Sequence, residues 1–155
     1  MTARAASTVL IAGVAGGVAW ILAMMAFFVP AQAVLANPEH QSEKFLHVMG
    51  VLEPLPKIDA QPWIFPVGLL CIAVVYAAAY GCVRDGLRGG RVARGLKFGI
   101  LAWALMAPWF EFYLPWNVMH EPPLLVALEL LCWLLVLLAT GAAIASVYEW
   151  RMARV

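Results

Sequence analysis

Charged residues are scarce in this chain. Only 12% of its 155 residues are Asp, Glu, Lys or Arg, whereas about 25% is typical of soluble domains. Hydrophobic residues make up 65% of the chain, and the mean hydropathy is +0.87. A soluble core of this size cannot hide so much apolar surface from water. The composition therefore excludes a soluble globular domain and a disordered tail, and it indicates an integral membrane protein.

Cysteines and catalytic motifs are equally sparse. Cys71, Cys82 and Cys132 lie in apolar runs without a CxxC pair, so we expect buried hydrophobic side chains rather than redox chemistry. Ten basic residues against nine acidic ones give a net charge of +1. No basic patch with interleaved aromatic residues indicates a nucleic-acid partner. No GxSxG, Walker loop or HExxH motif is present, so no enzyme class can be named.

Long apolar runs are the main feature that is present. A helix that crosses the hydrocarbon core needs about 20 mostly apolar residues. Four runs come close to or exceed this length, at residues 9–29, 63–83, 98–116 and 124–148. Unbroken runs favour helices over barrel strands, which would alternate at every second residue. We therefore predict an all-α integral membrane four-helix bundle of two helical hairpins, in which residues 1–155 form a single transmembrane domain.

Basic residues indicate the orientation of this bundle. Eight of them lie at the two ends of the chain and in the loop at 84–97, whereas the outer loop at 30–62 has only Lys44 and Lys57. Lys and Arg concentrate on the cytoplasmic side of a membrane. We therefore expect both termini to be cytoplasmic and, in a bacterial host, a multi-pass protein of the inner membrane.

Two features of the first span leave alternatives open. Ala31-Gln32-Ala33 resembles a signal-peptidase site, but the preceding apolar run of 21 residues is longer than a signal peptide usually has. We expect the span to be retained; its cleavage would leave the other three spans in the same orientation. Gly13-x-x-x-Gly17 allows helices to approach closely, either inside a monomeric bundle, which we favour, or in a homo-oligomer.

Histidines and carboxylates are concentrated on the predicted outer side. We expect a short amphipathic helix there, capped by Asn37 and ending at Gly50, with its apolar face on the lipid. Histidine and carboxylate groups are common ligands of divalent metal ions. The candidate ligands of such an outer-face metal ion are His40, Glu43, His47, His120 and Glu121. The alternative is that this side of the helix is an ordinary solvated polar face.

Two further carboxylates, Glu111 and Glu129, fall inside predicted spans. Charged groups within a span are costly and usually face the interior of the bundle or a cavity. Both lie in the outer third of the predicted bundle, where they would share a proton or bind a cation if they were close together. Glu111 and Glu129 are therefore the candidate catalytic acid/base residues.

Three functions are compatible with these features. We favour a binding or accessory protein whose outer-face His/Glu site holds a cation or small ligand, in contact with the lipid bilayer and with other membrane proteins or further copies of itself. The alternative is a membrane enzyme in which Glu111 or Glu129 acts with an outer-face histidine. The third candidate is a subunit of an oligomeric proton-coupled transporter.

Overall fold

Helices make up nearly all of the regular structure. The computed structural model describes residues 3–153, and this range contains no strand. The all-α prediction is therefore confirmed. The α-helices are α1 Ala3–Leu35, α2 Glu43–Gly50, α3 Lys57–Ala60, α4 Ile64–Val83, α5 Arg91–Glu111 and α6 Pro123–Met152. A 3₁₀ turn, Arg84–Gly86, follows α4, and a π-helical segment, Phe112–Val118, continues α5.

Three helices within the described range are long and apolar enough to cross a membrane. They are α1, α4 with the turn that follows it, and α6. The prediction of a membrane protein is therefore confirmed with three candidate spans. The predicted third span, 98–116, falls on α5 and the π-helical segment, which are not among these three candidates. The first turns of α5 carry Arg91, Arg94 and Lys97, and its apolar part measures only about 20 Å at 1.5 Å per residue.

Several helices extend beyond the predicted spans, and the burial prediction is wrong for two of the three cysteines. Helix α1 passes through Pro30 and ends at Leu35, so the outer loop begins later than expected, and Ala31-Gln32-Ala33 lies within the helix. Helix α5 starts at Arg91, inside the predicted loop at 84–97. Cys132 is buried, but Cys71 and Cys82 are exposed, because they lie on the side of α4 that faces away from the bundle.

Helix α2 begins later than the loop helix that the sequence indicates. Ser42, not Asn37, is the N-cap of α2, because its hydroxyl accepts a hydrogen bond from the N–H of Phe45 at 3.0 Å. The Asn37 side chain instead accepts the N–H of Glu39 at 2.9 Å, which is a local turn. The end of the helix at Gly50 agrees with the prediction.

Small residues hold the long helices together. A Cβ atom on Gly13 would lie 2.6 Å from the Cα of Val74, so the Gly13–Gly17 side of α1 packs on α4 within the chain. A Cβ atom on Gly95 would lie 2.6 Å from the carbonyl oxygen of Gly141, where α5 meets α6. These close contacts favour the compact bundle over a dimer formed through the Gly13 motif.

One end of the bundle is basic. The N-terminal turns of α1 and α5 lie there with the C-terminal turns of α4 and α6. Glu149 of α6 joins three of these helices: its Oε1 accepts hydrogen bonds from Tyr80 Oη at 3.0 Å and Arg94 Nη1 at 3.3 Å, and its Oε2 lies 3.6 Å from Arg84 Nη1. The opposite end carries the outer loop and the segment 112–122.

Candidate functional site

Three glutamates meet at the end of the bundle opposite the basic end. One carboxylate oxygen from each of Glu111, Glu121 and Glu129 lies within 4.8 Å of the other two. Glu111 is the last residue of α5, Glu121 lies in the turn before α6, and Glu129 lies two turns into α6. Glu111 and Glu121 are each only 1% exposed. We call these three residues the carboxylate cluster; within residues 3–153, no other His, Cys, Asp or Glu side chains meet in such a group.

The π-helical segment places Glu121 beside the other two glutamates. Two backbone hydrogen bonds close the end of this segment. The N–H of Met119 donates to the carbonyl of Leu114 at 2.9 Å, and the N–H of Glu121 donates to the carbonyl of Pro115 at 2.9 Å. His120, between them, has the left-handed backbone angle φ 59°. This angle turns the chain sharply, so that His120 is exposed while Glu121 is buried. Both π-helical turns and non-glycine residues with positive φ are frequent at functional sites.

Neutral donors satisfy half of the oxygen atoms of the two buried glutamates. Trp133 Nε1 donates to Glu111 Oε1 at 2.7 Å. Gln41 Nε2 donates to Glu121 Oε1 at 2.7 Å and also to the carbonyl of Leu35 at 2.9 Å. The Oε2 atoms of Glu111 and Glu121 are buried and accept no hydrogen bond from an N–H or hydroxyl donor in the part of the chain that the structure describes; the neighbouring polar group there is the carboxyl group of Glu129. A buried polar atom without a partner is costly, so these two oxygens point to a ligand or a proton.

Glu129 lies between the other two carboxyl groups. It is within hydrogen-bonding reach of both Glu111 and Glu121. Two carboxylate charges 4.8 Å apart repel each other by about 3.5 kcal/mol at an effective dielectric constant of 20. The basic residues of α5 lie at the other end of the bundle, and Lys44 and Lys57 are exposed to solvent. The cluster therefore needs protons or a bound cation to offset its charge.

This buried environment changes the pKa of Glu121, which lies in the turn before α6. Burial raises the pKa of its carboxyl group above the usual range of glutamate. The hydrogen bonds from Gln41 and with Glu129 act in the opposite direction, because they favour the ionised form, but the effect of burial is larger. Glu121 therefore takes up a proton more readily than a carboxyl group in water.

The spacing of the cluster suits a single hard cation. Oxygen ligands of Ca²⁺ lie at about 2.3–2.6 Å from the ion, so two ligands on opposite sides of it are about 4.6–5.2 Å apart. The three oxygens of the cluster fall within that span. A set of carboxylate oxygens without sulfur or imidazole favours Mg²⁺, Ca²⁺ or Mn²⁺ over Zn²⁺ or Cu²⁺.

A surface cleft borders the cluster. It has a volume of about 450 Å³. Its lining consists of Trp116, Asn117, His120, Glu121, Pro122 and Pro123. Glu121 is the member of the cluster that lines this cleft, so the cluster lies just beneath the surface at this end of the bundle.

The residues predicted as site candidates fall into two groups. The structure brings Glu111 and Glu129, the acid/base candidates, together with Glu121, which was a candidate metal ligand. It does not bring the other candidate metal ligands into this cluster: His40, Glu43 and His47 are exposed in and before α2, and His120 is exposed in the cleft. A metal site built on the histidines stays a prediction.

Two members of the site were missed in the sequence. Trp133 lies four residues after Glu129, so both share one face of α6, and this spacing was a readable signal. Gln41 lies in an irregular turn between α1 and α2, 80 residues away from Glu121 along the chain. No local pattern relates Gln41 to the cluster, because their contact depends on how the outer loop folds back over the bundle.

A scan against protein-family models and searches of curated proteins and of solved structures found no match to this chain.

Proposed function

We propose that this protein is a membrane-embedded binding protein for a hard divalent cation, which is held by Glu111, Glu121 and Glu129. The observation that carries the proposal is the pair of buried Oε2 atoms that accept no hydrogen bond from an N–H or hydroxyl donor, in a cluster of three carboxyl groups with no positive side chain among residues 3–153. A divalent cation would bind one oxygen of each carboxylate and offset two of the three negative charges. Mg²⁺ and Ca²⁺ take six or more oxygen ligands, so the remaining positions are open to water or a small ligand from the cleft.

The placement of this site in the membrane is part of the proposal. In it, α5 and the π-helical segment complete a fourth span beside α1, α4 and α6, since α5 packs closely on α6 through Gly95 and Gly99. The basic end faces the cytoplasm of a bacterial cell and the carboxylate cluster lies near the outer surface of the inner membrane. Exposed apolar residues in and after α2, such as Met49 and Leu52, rest on that surface.

Binding of Mn²⁺ tests the proposal. The full chain in mild detergent is stripped with a chelator and titrated with Mn²⁺, and the free ion is followed by electron paramagnetic resonance. We expect one ion per chain in the wild type and at least tenfold weaker binding in Glu129→Gln, which keeps the size of the side chain but removes its charge. Glu53→Gln, an exposed residue of the outer loop, is the control and should bind like the wild type. No saturable binding, or equal weakening in both variants, would contradict the proposal.

Proton transfer is the second candidate function. It is favoured by the position of Glu129 within hydrogen-bonding reach of two other carboxyl groups, where a shared proton replaces the cation. In this case Mn²⁺ would not bind, and an infrared difference spectrum would show a protonated carboxyl group that disappears in Glu129→Gln. The transporter predicted from the sequence corresponds to this outcome.

The enzyme alternative depends on a histidine beside the carboxylates. His120 lines the same cleft as Glu121, whereas His47 is exposed on α2. Of the histidines named for that role, His120 is thus the better placed to act with the cluster as an acid or base.

A further inference from the structure

An apolar groove crosses the outer face of α6 near the basic end of the bundle. Its volume is about 500 Å³. Ser146, Val147 and Trp150 of α6 form its floor. Ile11 and Ala15 of α1 lie on one side, and Arg91, the first residue of α5, lies on the other. The groove therefore has the character of a lipid-facing surface with one cationic side chain beside it.

A second arginine lies at the basic end of this groove. Arg151 is one helical turn beyond Val147, and its Nη2 donates to Ser7 Oγ at 3.3 Å. Ser7 is in turn one helical turn before Ile11, so the Arg151–Ser7 contact lies beyond the lining of the groove, towards the basic end. Arg151 Nε is buried and finds no acceptor within residues 3–153. Two guanidinium groups thus lie where the apolar surface ends.

The basic end has more positive charge than its own carboxylates offset. Arg84 pairs with Asp85 and Glu149, and Arg94 pairs with Glu149. The described part of the chain offers no carboxylate partner to Arg88, Arg91, Lys97 or Arg151. An anion bound at Arg91 and Arg151 would complement this excess of charge.

We propose that the groove binds one anionic phospholipid of the phosphatidylglycerol type. Its phosphate lies between Arg91 and Arg151, whose guanidinium groups match phosphate geometry. Its acyl chain follows Ile11, Ala15 and Val147 away from the basic end. Basic pockets between membrane helices are a common setting for anionic headgroups. A free phosphate would satisfy the arginines but would leave the apolar part of the groove uncovered, so the two halves of the site together select a lipid.

Native mass spectrometry of the full chain in detergent tests this site. The protein is titrated separately with phosphatidylglycerol, with phosphatidylcholine of the same acyl chains, and with glycerol phosphate as the headgroup alone. We expect one tightly held phosphatidylglycerol, bound roughly tenfold or more tightly than phosphatidylcholine. Arg91→Gln should remove most of this preference. Arg88→Gln is the matched control: Arg88 is exposed in the loop just before α5 but does not line the groove, and its loss should leave the preference in place.

A substitution in the apolar half separates a lipid site from a simple phosphate site. Ala15→Phe fills the groove and keeps both arginines, so it should weaken phosphatidylglycerol binding at least fivefold, by occupying the space of the acyl chain. Equal losses in Arg91→Gln and Arg88→Gln would overturn the proposal in favour of diffuse charge attraction. Unchanged binding in Ala15→Phe, or glycerol phosphate that binds as tightly as the lipid, would also overturn it.

Discussion

The side chain of Trp133 orients one carboxyl group of the carboxylate cluster. Its indole N–H holds Glu111 Oε1, and its ring packs against Phe28 with centroids 4.9 Å apart. The hydrogen bond favours the ionised form of Glu111, while the ring shields the cluster from water. A cation therefore meets a carboxylate that is already oriented, which reduces the cost of ordering it on binding.

Removal of the indole donor tests this role. Trp133→Phe keeps an aromatic ring but leaves Glu111 Oε1 without its donor, so we expect Mn²⁺ affinity to fall about tenfold, consistent with a hydrogen bond to a charged group worth about 1.5–3 kcal/mol. Trp103→Phe is the control. The Trp103 N–H donates to the carbonyl of Leu130 at 2.9 Å, away from the carboxylates, so this variant loses the same kind of bond without a change in affinity. Equal affinities for the two variants would show that Trp133 only fills space.

In the proposed cation site, Gln41 influences the pH range of metal binding through its hydrogen bond to Glu121. The raised pKa of Glu121 means that its proton competes with the metal above the usual range of a carboxyl group, so affinity falls as pH falls through that pKa. Gln41→Leu removes a donor that favours the ionised form, which raises the pKa of Glu121 further. We expect the midpoint of Mn²⁺ binding against pH to move upward in this variant, with Gln61→Leu, in the exposed outer loop, as the control. A midpoint that stays fixed or moves downward would contradict this role of Gln41.

At the scale of the element, the π-helical segment is the part of the fold that brings Glu121 to α5 and α6. If residues 112–118 formed an ordinary α-helix, the turn that carries Glu121 would start from a different position relative to α6. The segment depends on Pro115 and on the left-handed conformation of His120. Glycine adopts this conformation freely, and a β-branched residue avoids it.

Two substitutions at position 120 separate the backbone from the imidazole. His120→Gly removes the ring and keeps the backbone angle, so we expect thermal stability and Mn²⁺ affinity close to those of the wild type. His120→Val should lower stability by about 1–2 kcal/mol, because valine is strained at positive φ, and should weaken Mn²⁺ binding with it. Lost binding in stable His120→Gly protein would instead make the imidazole a ligand or a catalytic partner.

The contact between α5 and α6 is the other element-scale determinant of the site, since it joins Glu111 to Glu129. A Cβ atom on Gly99 would lie 2.5 Å from the carbonyl oxygen of Leu137. Gly99→Ala should therefore push the helices apart and cost about 1–3 kcal/mol in stability. Gly68→Ala in α4, where nothing lies within 4 Å of the new Cβ atom, should be neutral or slightly stabilising. Similar thermal midpoints for the two variants would contradict the close contact.

The parts of the site that could be predicted are those with a local physical cost. Glu111 and Glu129 stood out because a carboxyl group in an apolar run needs a partner, and the runs themselves predicted the helices. Glu121 was identified only among the outer-face ligands. Its approach to the other two carboxylates depends on a π-helical segment and a left-handed residue, which hydrophobic periodicity does not encode. Gln41 depends on the tertiary fold of the outer loop.

At the scale of the whole molecule, the bundle is electrically polar. Among residues 3–153, three acidic groups with no compensating positive charge meet at one end, and an excess of arginine and lysine lies at the other. Between them, Trp20, Phe28, Val136 and Leu137 form an apolar core that contains no charged side chain. This polarity agrees with the two proposed ligands, a divalent cation at the carboxylate cluster and an anionic phospholipid at the groove beside Arg91.

The location of a bound ion is the most direct test of the central proposal. Crystals of the full chain grown with Mn²⁺, measured for anomalous scattering, would show where the metal lies. We expect one strong peak between the carboxyl groups of Glu111, Glu121 and Glu129. A peak at His40, His47 or His120 without one at the carboxylates, or no peak under saturating Mn²⁺, would contradict it.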